Sequence, residues 1–349
     1  MISKNIVSSF NGIPVTAYTM ENSNGMKVKA LDYGCVILEI LVPDQEGNVE
    51  NVVLRYDEIS MYEKNPGFLG AIIGRTAGRT QDGKLPLTNH TYYLQQNEGK
   101  HHLHGGYECL SHVHWNVITE IQDNEQIIYF HYTSKEGEGG YPGKVDCYIT
   151  YRLDNTNKFI IEYKAVTDKE TAINFTNHSY FNLSGNAKRT IENHDLEIDS
   201  ERFLELTHEL IPTGEVLEVG SHPAFDFRKS KKIKDSLSQR DEQIKRAGGI
   251  DHPFIINQAK KKAVVLFDEK SGRKLEIETD DPAIVCYSGN QLTGNPPISN
   301  RKAIKHLGIC LEAQQVPNSY FLPDFEPPII KATETYYKKT VFSFSNCTR

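Results

Sequence analysis

The chain has 349 residues, a formal charge of -7, a pI near 6.0 and a mean hydropathy of -0.50, with 38% hydrophobic and 10% aromatic residues. That is the composition of an ordinary globular protein with material for a large core, and it excludes disordered and membrane-spanning classes. Acids outnumber scattered Lys and Arg, which leaves no electrostatic footprint for nucleic acid, and no stretch approaches the ~20 apolar residues of a membrane helix.

The opening "MISKNIVSSFNGIPV" lacks a basic start followed by an apolar run, so the expected setting is cytoplasmic. From there short apolar or alternating runs recur, separated by turn residues. "CVILEILVPD", "QIIYFHYTS", "VDCYITYRLD", "FIIEYKAVT", "AVVLFDEKSGRKLEIETDD" and "AIVCYSGN" read as strands, and "DQEGN", "LDNTN" and "EKSG" as turns between them. This pattern predicts mostly antiparallel sheet rather than βα repeats. Helical candidates are few: "EISMYEK" suits one turn or two, and "KKIKDSLSQRDEQIKRA", ending at "GG", suits an exposed helix or an ordered surface loop. No linker or short repeat interrupts the pattern, so residues 1–349 are expected to form a single all-β domain of packed sheets.

Several segments carry polar groups that such strands do not require. In "GAIIGRTAGRT" (70 to 80) the glycine spacing is neither GxxxxGK[ST] nor GxGxxG, and what remains is a pair of arginines, Arg75 and Arg79, on an apolar segment. Each guanidinium there is expected to pair with an acid or to bind an oxygen-rich ligand. The run "HHLHGG" gathers His101, His102 and His104 ahead of two glycines, with His112 and His114 soon after. A metal reading has imidazoles in its favour, but the HExxH and paired-cysteine patterns are missing and the glycines favour close approach of backbone or ligand. A polar binding role for His104, with no metal, is the preferred reading.

If "NFTNHSYFNL" (174 to 183) is extended, Asn174, Thr176, His178, Tyr180 and Asn182 share one side while Phe175 and Phe181 face the other. In "GGIDHPF", Asp251 is read either as a turn former or as a ligand group. In "HLGICLEAQQVPNS", Leu307, Ile309 and Leu311 fall on one face and Gly308, Cys310, Glu312 and Gln314 on the other. Glu312 must then face solvent or a cavity. The six cysteines, Cys35, Cys109, Cys147, Cys286, Cys310 and Cys347, show no CxxC spacing and are read as buried free thiols.

Taken together, "LDYGCVILEILVPDQEGNVENVVL", "GFLGAIIGRTAGRT", "LHGG", "GYPGKVDCYITYRL", "TNHSYFNLSG", "IPTGE", "GIDHPF" and "LGICLEAQ" resemble the aldose 1-epimerase (galactose mutarotase) family, in that family's order and over almost the whole chain. The resemblance implies a large antiparallel β-sandwich of the galactose mutarotase type (supersandwich). It also implies interconversion of the α and β anomers of a free hexose such as galactose or glucose, without a cofactor. By the same resemblance the general acid falls on His178, the general base on Glu312, and the sugar-contacting groups on Arg79, His104 and Asp251, to which Tyr180 is added from the polar side of its own segment.

Two departures from the family pattern bear on the sugar's hydroxyls. Gly78 stands where an Asn often precedes the binding arginine, and Val285 where some members carry a sugar-contacting Gln. The expected partner is a small sugar, with no nucleic acid and no membrane, for a monomer or homodimer. An epimerase for maltose or a hexose 6-phosphate, a sugar-binding protein without turnover, and a glycoside hydrolase using Asp251 as a second acid are the competing readings. For His178 to act as the acid, a neighbouring Glu312 is expected to favour the imidazolium.

Overall fold

The computed structural model describes residues 2–123, 125–259 and 262–346. Its strands form three main antiparallel sheets. The first is a five-stranded meander of Ser3–Phe10, Ile13–Glu21, Lys27–Leu31, Ile37–Pro43 and Val49–Asn51. A nine-stranded sheet runs in the order Asn116–Gln122, Glu125–Ser134, Val145–Leu153, Lys158–Thr167, Thr335–Asn346, Arg273–Thr279, Val264–Phe267, Asp195–Ile198 and Lys231–Lys232. A six-stranded sheet has the order Tyr180–Phe181, Ile309–Gln314, Ala283–Tyr287, Asp251–Ile255, Arg202–Leu206 and Pro212–Glu218.

The alternation in the sequence sets which face each strand buries. Val145, Cys147, Ile149, Tyr151 and Leu153 are buried at every second position, and their partners Thr167, Ala165, Tyr163, Ile161 and Phe159 match them in register. One-residue slippage would turn both rows to solvent, so the pairing is strongly specified. The apolar faces of the three sheets meet in one cluster that includes Val28, Ile40, Ile149, Phe159, Phe203, Phe254 and Leu311. The strands Ala283–Tyr287 and Ile309–Gln314 are buried on both faces. One face packs into this core and the other floors a cavity.

The turns behave as their residues require. In "DQEGN" the Asp44 carboxylate accepts hydrogen bonds from the backbone N–H of Glu46 and Asn48, an Asx arrangement that offsets the loss of ladder bonds. "EISMYEK" forms a short 3-10 turn at Ile59–Glu63. "KKIKDSLSQRDEQIKRA" is broken into two helices, Ile233–Leu237 and Glu242–Ala247, because Asp241 caps the second, its side chain accepting from Gln243 N–H. Gly248 ends that helix in the left-handed region.

Cys35, Cys109, Cys147, Cys286 and Cys310 are buried free thiols, and Cys347 lies outside the described residues. No helix among the described residues is long and apolar enough to cross a membrane.

The segment 174 to 183 departs from the single extended strand its alternation suggests. Thr176–Asn177 pairs with Ile72–Ile73, whereas Tyr180–Phe181 pairs with Ile309–Cys310 in the six-stranded sheet. The chain passes from one pairing to the other at His178 and Ser179. Its polar side chains therefore do not form one ligand-facing row. Asn182 donates to the carbonyls of Arg189 and Leu307, and Asn174 to that of Gln315, so both tie down backbone that lies outside regular ladders.

Candidate active site

The six-stranded sheet floors a cavity of about 240 Å³ with residues at every second position of adjacent strands. Asp251 and Pro253 come from one strand, Val285 and Tyr287 from the next, and Glu312 and Gln314 from the third. Tyr180 continues the row beyond, paired with Cys310. The walls are Phe68 from the segment before Arg75, Gly78 and Arg79 after it, Glu98 ahead of the histidine-rich run, and Leu103 and His104 within it, Arg79 pairing with Leu103 in a short two-stranded ladder.

At the centre, His178 and Glu312 are both almost fully buried, with Nε2 of the imidazole 3.5 Å from Oε1 of the carboxyl. The other imidazole nitrogen lies 3.5 Å from the Cys310 thiol. The second carboxyl oxygen of Glu312 accepts from the Gln314 amide at 3.3 Å. Burial pushes the His178 imidazole down to about 4. Burial, with the nearby Asp251, pushes the Glu312 carboxyl well up, against a smaller opposing pull from Arg79.

Both shifts favour the neutral forms. A proton shared by the pair is therefore drawn toward Glu312 and away from His178. This corrects the expectation of a standing imidazolium: desolvation of the ring outweighs its attraction to the carboxylate.

Arg79 sits at the polar end of the cavity, 2.8 Å from Glu98 and 3.9 Å from Asp251. Its Nε is buried and has no protein partner among the described residues. Burial raises the Asp251 carboxyl to about 6, with Arg79 acting against that rise. His104 is held by a reciprocal clip: its backbone N–H donates to the Gly78 carbonyl, and its Nδ1 accepts from Gly78 N–H. Burial and the neighbouring His178 and Arg79 keep this imidazole neutral. With Nδ1 an acceptor, the ring's proton is on Nε2.

The Gly78 departure has a steric reason here. Its φ of +76° is left-handed, and a Cβ would stand 2.7 Å from the Pro317 ring. Similarly, Gly105 of "HHLHGG" packs so tightly that a Cβ would lie 1.9 Å from the Gly74 carbonyl oxygen. The glycines of that run thus serve close backbone approach.

Of the other histidines, His101 accepts from Asp82 N–H, His102 contacts the Gln95 carbonyl and the Tyr141 hydroxyl, and His112 contacts the Cys109 thiol. They point to separate neighbours instead of converging. Arg75 takes neither of its expected partners. Its guanidinium is buried and donates to the Ser134 hydroxyl and to the carbonyls of Ser134, Lys135 and Pro142.

All six candidate residues, Arg79, His104, His178, Tyr180, Asp251 and Glu312, line the same cavity. Tyr180 spends its hydroxyl proton on the Gly67 carbonyl, which leaves its ring and an oxygen lone pair to the cavity. The aromatic lining comes from Phe68, Tyr180 and Tyr287. Trp115 packs on Tyr132 in the core, and Tyr141 is bound to His102 and Thr76. Sequence reasoning missed Phe68, Glu98 and Tyr287. Glu98 had a signal, an acid six residues before His104, but its partner Arg79 is 19 positions away.

The model of the family described as aldose 1-epimerase matches residues 16–343. Galactose mutarotase of Sus scrofa is 35% identical over 345 residues, covering 97% of this chain and 98% of that protein. Aldose 1-epimerase of Haemophilus influenzae is 35% identical over 349 residues, covering 99% and 100%. Among solved structures, galactose 1-epimerase from Lactobacillus acidophilus superposes with a TM-score of 0.90 at 30% identity, covering 100% of this chain and 99% of that one.

Proposed function

This chain belongs to the aldose 1-epimerase family and interconverts the α and β anomers of hexoses, and from that premise we propose that Glu312 is its general base and His178 its general acid. The observation that carries the assignment is the buried pair 3.5 Å apart at the floor of a cavity whose other end holds Arg79 and Asp251.

Ring opening needs the C1 hydroxyl proton removed while the ring oxygen receives one. Glu312 as carboxylate takes the first, and His178 as imidazolium gives the second. The C1–O5 bond breaks, an aldehyde forms at C1, and the pair is left as carboxylic acid and neutral imidazole. That is the proton arrangement that burial favours. Rotation of the aldehyde and reversal of both transfers closes the other anomer. Atoms and protons balance within the pair, so the step calls for no redox or group-transfer partner.

Arg79, Asp251, His104 and Tyr180 are proposed to hold the sugar's hydroxyls, with Phe68 and Tyr287 against its apolar faces. Glucose and galactose are the proposed substrates. Arg79 is the one Lys or Arg of the lining and stands beside the acids Glu98 and Asp251, which disfavours a sugar phosphate. The cavity of about 240 Å³ is below the ~300–1,000 Å³ usual for drug-sized ligands, so one hexose ring suits it better than maltose. A hydrolase would need a second free acid across from Glu312, where His178 stands instead. The shared core of the three sheets supports reading residues 1–349 as one domain, and the buried free thiols suit a cytoplasmic setting. The direct test is polarimetry of freshly dissolved α-D-galactose or α-D-glucose: rotation that relaxes no faster with the protein than without it would refute the reading.

The pH profile should divide into two parts. Protonating Asp251 removes a hydroxyl acceptor and the counter-charge of Arg79, so kcat/KM is expected to fall as pH drops through about 6. The catalytic pair keeps its single proton until His178 gains a second near pH 4, so kcat should hold down to that point. An Asp251→Asn variant whose kcat/KM still steps near pH 6 would refute the assignment of that step to Asp251.

A further inference from the structure

We propose that His178, Cys310 and Glu312 form a site for a thiophilic divalent cation of the zinc class, and that the bound ion blocks the catalytic pair. The block, though not the site, rests on the roles given to Glu312 and His178. Cys310 and Glu312 are alternate residues of one strand and so project from the same face. The segment that pairs Tyr180 with Cys310 runs antiparallel, which carries His178, two positions before Tyr180, back toward Glu312. The imidazole stands between the two side chains, with Nδ1 3.5 Å from the Cys310 sulfur and Nε2 3.5 Å from Glu312 Oε1.

One ring nitrogen, the sulfur and one carboxyl oxygen lie within 4.8 Å of one another, and among the described residues no other group of three His, Cys or carboxylate side chains converges in this way. Tetrahedral zinc, with bonds of about 2.0–2.3 Å, holds its ligand atoms about 3.3–3.6 Å apart. A side-chain rotation that moves one atom by about 1 Å closes the remaining gap. The donor set selects the ion: thiolate and imidazole suit zinc, whereas Mg2+ and Ca2+ require shells of oxygen. All three side chains are buried, and thiolate, carboxylate and neutral imidazole together cancel the charge of a divalent cation. The thiol proton, and any proton on Glu312, pass to solvent as the metal bonds form. His178 and Glu312 line the cavity, which gives the ion a path and leaves its fourth position to water. The ion holds the carboxylate that must take the C1 hydroxyl proton, and its charge opposes the imidazolium that His178 must become.

The test combines polarimetry of α-D-galactose, with free Zn2+ set by a chelator, and Co2+ as a spectroscopic stand-in. For an affinity of about 1 μM, about 10 μM free Zn2+ should lower kcat/KM about tenfold, reversibly on chelation. Co2+ should give a thiolate-to-cobalt charge-transfer band, and Cys310→Ala and Cys310→Ser should both lose it. Each variant, measured against its own metal-free rate, should need at least about tenfold more Zn2+ for the same inhibition. In the wild type, saturating D-galactose should displace Co2+ and bleach the band, a check that depends on no variant. In a wild type that accelerates mutarotation, no band, a band that D-galactose leaves unchanged, or turnover that Zn2+ leaves unchanged overturns the proposal and keeps the epimerase reading intact. A band kept by either folded variant does the same. A band lost in the variants, in a protein whose metal-free form accelerates neither galactose nor glucose, overturns the epimerase reading and the block while the metal site stands.

Discussion

Glu312→Gln is expected to lower kcat about 10²- to 10⁴-fold, the range for losing one positioned proton-transfer group, with KM little changed. The amide preserves size and remains within reach of Gln314, whose side chain now donates to Oε2, so the cavity should keep its shape. What is lost is a group that can take the C1 hydroxyl proton and return it. His178→Asn should cost a similar factor, because its amide cannot deliver a proton to the ring oxygen.

The two groups act as one unit on one proton, so the double variant should be scarcely worse than the slower single variant. Polarimetry on sugar freshly dissolved as the α anomer measures all three, with circular dichroism confirming the fold. Retention of more than about a tenth of wild-type turnover by Glu312→Gln would be below the range for general base catalysis and would move the base elsewhere.

Arg75→Met is expected to destabilise the protein by about 3–5 kcal/mol, the scale for leaving several buried polar groups without their charged partner. Arg75 is 2% exposed, and among the described residues no carboxylate lies within ion-pair distance of it. Burial alone lowers its pKa. The guanidinium is held instead by the carbonyls of Ser134, Lys135 and Pro142 and by the Ser134 hydroxyl. Methionine fills much of the volume but takes the charged donors away from the Ser134 and Pro142 carbonyls and the Ser134 hydroxyl, while the Lys135 carbonyl keeps only the Glu138 N–H. Lysine should fare little better, since one ammonium cannot reproduce a planar fork that reaches both sides of the 134–142 loop. Urea unfolding should show a lower midpoint at unchanged slope. A loss below about 1 kcal/mol, the worth of a single neutral hydrogen bond, would mean that water replaces the fork.

These two arginines separate what is local from what is not. Arg75 and Arg79 are four residues apart on the same glycine-rich segment, and the same physical argument, that a guanidinium on an apolar run needs oxygen partners, applies to both. For Arg79 those partners are carboxylates at positions 98 and 251. For Arg75 they are carbonyls some 60 residues away. The need is encoded next to the residue, whereas the identity of the partner depends on which distant loop is folded over it.

The same division holds for the fold and the site as a whole. Strand existence and facing follow from residue alternation, because the β backbone turns successive side chains to opposite faces whatever the surroundings. That is why the rows at 145–153 and 158–167, the buried face at 309–311 and the inward position of Glu312 could be read from order alone. Alternation fails where a segment changes partners. Residues 174–183 switch sheets at His178, and two of the polar side chains that alternation alone turns toward a ligand, Asn174 and Asn182, instead hold backbone carbonyls.

Tyr287 and the apolar patch of Val285 and Pro253 depend on register between strands far apart in sequence, and Phe68 and Glu98 on how segments outside the strands fold over that sheet. So does the protonation of the catalytic pair. A histidine and a glutamate in sequence suggest an ion pair, but the depth at which the fold buries them makes the neutral forms the cheaper ones. Residue order specifies which groups turn inward; assembly specifies what they meet and how much water remains around them.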